Sequence, residues 1–249
     1  MARSILSINK AIKLLTYISE KGNSCSLADI SKDLDMPKST LFGILASLEE
    51  NDMIKKRDMD NKYSLGLKTY KLGKIYERDF DMKNFVRPYL EGISKKYNES
   101  GHLAVLLNNQ ALYIDLVESS HSIRNAAIPG QTDELYCTSV GRIILAAMEN
   151  KDIEEYLENI ELKPRTTNTI VDKESLLQEI DNIRKTNLSY EFQEYEIGLI
   201  CISTSIMNSN DEFLATIGLS LPIIRSNEDV LDNIGKDLLE IKASIEKAI

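Results

Sequence analysis

Residues 26–66 read SLADISKDLDMPKSTLFGILASLEENDMIKKRDMDNKYSLG, and this stretch decides the N-terminal fold. Ser26 stands before Leu27-Ala28-Asp29, an N-cap with an acidic residue three places on, which is the pattern of a capping box. It predicts a short helix to about Leu34. Asp35-Met36 make a turn, and Pro37 takes the first-turn position where its missing N–H costs nothing. Leu41, Ile44, Leu45 and Leu48 then supply the apolar stripe of another helix, which ends near Asn51-Asp52. Met53 to Arg57 is strand-like, Asp58-Met59-Asp60-Asn61 holds turn formers, and Lys62 to Gly66 alternates again. Upstream, Ile8, Ala11, Ile12, Leu15 and Ile18 mark one face of a first helix, closed by Gly22. Three helices and a short hairpin describe a winged helix-turn-helix, whose third helix would enter a major groove.

Charge first argues against nucleic acid and then for it. The 249 residues hold 30 Lys+Arg and 39 Asp+Glu, a net of −9, although phosphate binding calls for cations. Residues 1–75, however, carry 13 Lys+Arg and 9 Asp+Glu, a net of +4, whereas the remainder carries 17 and 30, a net of −13. A small basic head sits on a larger acidic body. The length suits two domains. Cys25, Cys137 and Cys201 are widely spaced, so neither a disulfide framework nor a zinc finger is indicated. No signal peptide or membrane-length apolar run is present in the sequence, which leads to the expectation of a cytoplasmic protein with no membrane partner.

Beyond the hairpin, residues 67–84 read as a charged linker helix, followed by an amphipathic helix from Val86 to Tyr97. His102–Leu107 and Ala111–Val117 flank Asn108-Asn109-Gln110 as a hairpin, and Ile123–Ile128 reads as a third strand before Pro129-Gly130. Thr138 or Ser139 caps a helix through Ala147, and weaker helices follow at 152–158 and 173–186. Strands return at Leu188–Phe192, Leu199–Met207 and Phe213–Leu221. Val230, Ile234, Leu238, Ile241 and Ile245 mark a final long helix. The expected fold class is α+β, with a winged helix-turn-helix over 1–66, a linker helix over 67–84 and an antiparallel sheet with flanking helices over 85–249.

The surface chemistry places candidates on the N-terminal unit. Lys38, Ser39 and Thr40 open the third helix, where side chains and free backbone N–H groups can meet phosphate or base edges. Lys55, Lys56, Arg57 and Lys62 cluster on the hairpin, which lies along the DNA backbone in this geometry. With Ser26, Phe42 and Gly43 these residues make the expected DNA-facing set.

The run SINKAIKLLTYISEKGNSCSLADISKDLDMPKSTLFGILASLEENDMIKKRDMDNKYSLGLKTYKLG resembles the N-terminal domain of IclR-type bacterial transcription regulators. The likeness continues through VRPYLEGISKKYNESGHLAVLLNNQALYIDLVES, TSVGRIILAAM, EIGLICISTSI and IGLSLP, so it covers nearly the whole chain. The resemblance implies a regulator that binds double-stranded operator DNA, forms homodimers or dimers of dimers, and carries a C-terminal domain similar to GAF and PAS folds. That domain is implied to bind a small effector, usually an organic acid. By the same resemblance, the effector pocket falls on Thr138, Ser139, Val140 and Gly141 at a helix start, and on Glu191, Cys201, Gly218 and Ser220 in the later strands.

Four positions depart from the family pattern. Phe42-Gly43 stands where a polar pair such as His-Arg is usual, Tyr136 where a His is common, and Gly218 where a Ser is common. Phe can touch a thymine methyl but cannot read guanine bidentately, so the altered pair points either to neutral drift or to an A·T-favouring operator. Glu191 adds a negative charge near any bound carboxylate, so it is expected to receive a hydroxyl or amine instead.

No enzyme, metal or cofactor reading is supported. His102 and His121 are the only histidines, they form no metal-binding spacing, and Gly-rich phosphate loops are absent. The competing reading is a small-molecule sensor whose N-terminal module binds protein instead of DNA.

Overall fold

The computed structural model describes residues 5–78, 81–125 and 128–249, and the chain divides into two compact units, 1–81 and 82–249. The N-terminal unit contains α1 (Leu6–Glu20), α2 (Leu27–Asp33), α3 (Lys38–Glu50), β1 (Ile54–Lys56), β2 (Tyr63–Leu65) and α4 (Leu67–Arg78). The capping box forms as the sequence predicts: Ser26 Oγ accepts from Asp29 N–H, and the Asp29 carboxylate accepts from Ser26 N–H. Pro37 differs from its expected place, since it is the extended N-cap of α3 and Lys38 is the first helical residue. Leu14, Ile18, Ile30, Leu41, Leu45, Ile54 and Tyr63 close one small core. The β1–β2 pair is antiparallel, with Lys55 opposite Ser64. Gly66 follows β2 where only glycine fits, because a Cβ there would lie 2.1 Å from the Asp52 carbonyl oxygen.

In the C-terminal unit, α5 (Asp81–Tyr97) precedes the hairpin of β3 (Ser100–Leu107) and β4 (Gln110–Val117). Its turn residues Asn108 and Asn109 both take positive φ, 50° and 61°, as a tight two-residue hairpin requires. Next come β5 (Thr132–Glu134), α6 (Ser139–Ala147), α7 (Asn150–Asn159), α8 (Lys173–Thr186), β6 (Ser189–Phe192), β7 (Leu199–Met207), β8 (Phe213–Pro222) and α9 (Glu228–Glu246). Six strands form one antiparallel sheet in the order β5-β4-β3-β8-β7-β6.

Alternation along the central strands gives the sheet two unlike faces. Leu103, Ile200, Ile202, Ile206, Ile217, Leu219 and Leu221 point into a core with Val86 and Leu90 of α5 and Ile234 and Leu238 of α9. Their strand neighbours His102, Cys201, Ser203, Gly218 and Ser220 are also buried but small or polar, and Ser139 of α6 hydrogen-bonds Ser203 among them. The second core lies on that side, built from α6, α7 and α8 residues such as Val140, Ile144, Ile153, Leu176 and Ile180.

One expectation needs adjustment. The strand expected at Ile123–Ile128 does not form at 123–125 or 128, and Ala126 and Ala127 lie outside the described residues. The edge strand is Thr132–Glu134, which pairs with 110–112 after Gly130, at φ 93°, has turned the chain. Of the expected linker over 67–84, α4 covers 67–78 and α5 begins at Asp81, with residues 79 and 80 outside the described set.

Candidate functional site

The C-terminal unit contains a cavity of about 200 Å³ lined by His102, Tyr113, Asn125, Gln131, Asp133, Thr138, Ser139, Glu191, Tyr195, Glu196, Leu199 and Cys201. At about 30 Å³ per water, it has room for six or seven waters or a metabolite of similar bulk. Of the residues expected at an effector pocket, Thr138, Ser139, Glu191 and Cys201 line it.

Thr138 caps α6 through a bond from Gly141 N–H to its Oγ1 at 3.0 Å, and Ser139 Oγ meets Ser203 Oγ at 2.8 Å. Val140 and Gly141 serve packing instead. A Cβ on Gly141 would lie 2.3 Å from the Leu135 carbonyl oxygen, so this glycine lets α6 approach the preceding loop. Ser220 stands behind the wall, where its Oγ lies 3.1 Å from Cys201 Sγ and receives Asn125 Nδ2 at 3.1 Å.

The sequence reading missed His102. Its ring is buried between Ser203 Oγ, 3.4 Å from Nε2, and Ser220 Oγ, 3.3 Å from Nδ1, with Tyr113 edge-on at 5.9 Å between centroids. Burial lowers its pKa to about 4, so the imidazole is neutral near pH 7. The ring fits because Gly218 is its register partner on β8, where a Cβ would come within 2.6 Å of Nε2. Gly218 thus removes a side chain and admits an imidazole.

Three carboxylates, Asp133, Glu191 and Glu196, line the cavity, and among the described residues no Lys or Arg does. Asp133 accepts from Tyr195 Oη at 2.8 Å, and the Arg165 guanidinium stacks 4.1 Å from the Tyr195 ring centre. Burial raises the Glu191 carboxyl pKa, opposed by backbone N–H groups of Tyr195 and Glu194 that donate to its Oε1. Its other oxygen, Oε2, is buried with no hydrogen-bond partner among the described residues. The 193–196 segment beside it is tied down by Thr166 Oγ1 donating to Gln193 O at 2.7 Å and Thr169 Oγ1 to Glu194 O at 2.6 Å. Behind that segment lies an ion pair, Arg142 to Glu194 at 2.8 Å, with side chains 1% and 9% exposed. Burial pushes the Cys201 thiol well above its ordinary value, so it does not act as a thiolate. Tyr136 is engaged elsewhere, donating to Lys163 O at 2.7 Å. No group of three or more potential metal ligands occurs among the described residues.

On the N-terminal unit, α3 buries Leu41 and Leu45 and exposes Lys38, Ser39, Phe42 and Gly43. Phe42 is 58% exposed, which a core phenylalanine would not be. Thr40 and Lys62 are half-buried, while Lys55 and Lys56 are exposed on β1. Arg57 is committed differently, bonding Asp60 at 2.7 Å and Ser24 Oγ. Ser26 spends its hydroxyl on the cap of α2.

A Cβ at Gly43 would meet nothing within 4 Å. Gly43→Ala should therefore stabilise the N-terminal unit by about 0.5–1 kcal/mol through helix propensity. Thermal unfolding should show the gain as a rise of a few degrees, and a drop would mean that this glycine's conformation is needed.

Comparisons agree with this two-part organisation. The family described as IclR helix-turn-helix domain matches residues 7–58, and that described as bacterial transcriptional regulator IclR C-terminal matches residues 76–247. The HTH-type transcriptional regulator KdgR of Escherichia coli K12 is 26% identical over 219 residues, covering 88% of this chain and 83% of its own. The HTH-type transcriptional repressor AllR of the same strain is 25% identical over 216 residues, covering 87% and 80%. Among solved structures, the IclR protein of Thermotoga maritima superposes with a TM-score of 0.72 at 28% identity, covering 97% of this chain and 98% of its own. An IclR homologue from Microbacterium hydrocarbonoxydans, complexed with 4-hydroxybenzoate, gives 0.81 at 19% identity over 97% and 98%. No helix among the described residues is long and apolar enough to cross a membrane.

Proposed function

The chain belongs to the IclR family of bacterial transcriptional regulators, and from that premise we propose that it represses or activates transcription by binding operator DNA under control of a small organic acid held in the C-terminal cavity. The observation that carries the proposal is the coexistence, on separate units, of an exposed α3 face with wing cations and of a carboxylate-lined cavity at the start of α6. An acid is supported by the first turn of α6, where backbone N–H groups and the Ser139 hydroxyl favour an anion, the Thr138 hydroxyl being spent on the helix cap and on Glu134 O. The 4-hydroxybenzoate complex of a protein with the same fold also supports this chemical class.

On this reading Lys38, Ser39, Thr40, Phe42 and Gly43 face the major groove, Lys55, Lys56 and Lys62 follow the phosphates, and α4 belongs to the linker between the two units. The working form is a homodimer, which can pair into a dimer of dimers, because one recognition helix reads only a half-site. Exposed apolar residues on α1 and α4, including Ile8, Ile12, Leu67, Tyr70, Ile75 and Tyr76, support such self-association. A cytoplasmic location belongs to the same reading.

Selection from random duplex DNA tests it. Enrichment of a pseudo-palindrome with half-sites about one helical turn apart is expected, with A·T pairs favoured opposite Phe42. Failure to enrich any sequence at low salt would sink the proposal and favour a protein-binding head.

A further inference from the structure

Tyr195 stands three residues beyond β6, and its hydroxyl donates at 2.8 Å to Asp133, the middle residue of β5. β5 and β6 are the two edge strands of the six-stranded sheet. Five inter-strand steps would hold these edges about 24 Å apart in a flat sheet, so the sheet curls until a side chain from each side can meet. Both residues line the cavity, and the bond between them therefore crosses it. Exposure shows where. Gln131 and Glu196 are exposed and Asn125, Tyr195 and Leu199 half-buried, whereas the other lining residues, Asp133 and Cys201 among them, are buried. The first group forms the mouth and the second the floor, so Tyr195 reaches inward from the mouth.

The backbone that carries Tyr195 is fixed. Its N–H and that of Glu194 donate to Glu191 Oε1, and Thr166 and Thr169 hold the carbonyls of Gln193 and Glu194. On the other side, Gly198 N–H donates to Gln193 Oε1 and Gly198 O receives Ile223 N–H. Rotation of the side chain, not movement of the segment, is the motion left to Tyr195. Its ring has the Arg165 guanidinium stacked 4.1 Å from its centre, and its hydroxyl has Asp133. Asp133 keeps other company when that hydroxyl leaves, since Gln131 Nε2 stands at 3.5 Å and the Tyr113 side chain also interacts with the carboxylate.

We propose that Tyr195 and Asp133 form a latch across the mouth of the cavity, and that a ligand enters when the Tyr195 side chain swings off Asp133. This rests on the reading of the cavity as the effector site and adds its entrance. One hydrogen bond to a charged group keeps the latch shut, so removing the hydroxyl should make the open form about tenfold or more commoner.

Cys201, on the floor, reports opening without any effector. Methyl methanethiosulfonate is small and neutral, and it passes its methylthio group to a thiolate sulfur as methanesulfinate leaves. Peptide mass spectrometry of the full chain then follows Cys201, Cys137 and Cys25 separately. Burial holds the Cys201 thiol protonated, so ratios between variants carry the result. Cys137, in the second core of the same unit, and Cys25, in the core of the N-terminal unit, report general loosening. In Tyr195→Phe, which keeps the ring and loses the hydroxyl, Cys201 should label about tenfold faster or more than in the native chain. Asp133→Asn, which weakens the same bond from the other side, should speed it in the same direction. Cys137 and Cys25 should stay within about twofold of their native rates.

Native-like labelling of Cys201 in Tyr195→Phe, or acceleration of Cys137 by the same factor, would overturn the proposal. The first would mean that the mouth stands open beside Tyr195, the second that the substitution loosens the whole unit. Should Tyr195→Phe not fold, Asp133→Asn decides by the same two criteria. The effector reading falls separately, if butyrate, lactate and benzoate all leave Cys201 of the native chain unprotected while the latch variants still differ from it.

Discussion

Arg142→Met is expected to destabilise the C-terminal unit by about 3–5 kcal/mol, the range found when one partner of a buried ion pair is removed. Arg142 is 1% exposed and is the largest fully buried side chain, on the helix that forms the cavity wall. Its two terminal nitrogens hold the Glu194 carboxylate and the Tyr190 carbonyl, so it joins α6 to β6 and to the segment carrying Glu194 and Tyr195. Without it Glu194 would be a buried charge close to Glu191, whose own carboxyl already suffers from burial. Adding Glu194→Gln to Arg142→Met should restore much of the loss, since the stranded charge disappears. Urea unfolding followed by circular dichroism measures both. A cost below about 1 kcal/mol, or a double variant no better than the single, would show that the pair does not hold this wall.

The second large effect is expected on DNA. Lys55, Lys56 and Lys62 lie on or beside the two short strands, with Lys55 and Lys56 exposed. Replacing all three by Ala should lower the slope of log K against log salt by about three, and weaken binding by roughly 10²–10³-fold at 0.1 M salt. The loss should be uniform across DNA sequences, because phosphates carry no sequence information. Arg57→Ala should do less, as Asp60 already neutralises it. Phe42→Ala should instead relax the preference at particular base pairs while leaving the salt slope in place.

The N-terminal fold was almost wholly legible in the sequence because its signals are local. A capping box, a proline before α3 and two helical stripes specify three helices without reference to distant residues. Strand partners are another matter: the pairing of His102 with Gly218 joins residues 116 positions apart, so the imidazole filling the space above a glycine could not be seen along the chain. Asn125, Gln131, Asp133 and Tyr195 reach the cavity from loops and an edge strand, for which the sequence offers no periodic signal. The Ile123–Ile128 segment misled because apolar character alone does not provide a strand partner. Thr138, Ser139, Glu191 and Cys201 were reachable through the family resemblance, and three of the four are polar or acidic residues that burial made conspicuous only in the fold. The net charge behaves similarly, since −9 for the chain conceals a basic head and an acidic body. Such a division would help orient the protein on a duplex, as DNA attracts one unit and repels the other.

The most direct test is fluorescence anisotropy of a labelled duplex from the promoter region adjoining the gene, titrated with the full-length protein between about 50 and 200 mM salt. Binding should weaken by orders of magnitude over this range, with a slope of several units reflecting about 0.9 per phosphate contact. No binding at the lowest salt, or an affinity that salt does not change, would contradict a DNA-binding head.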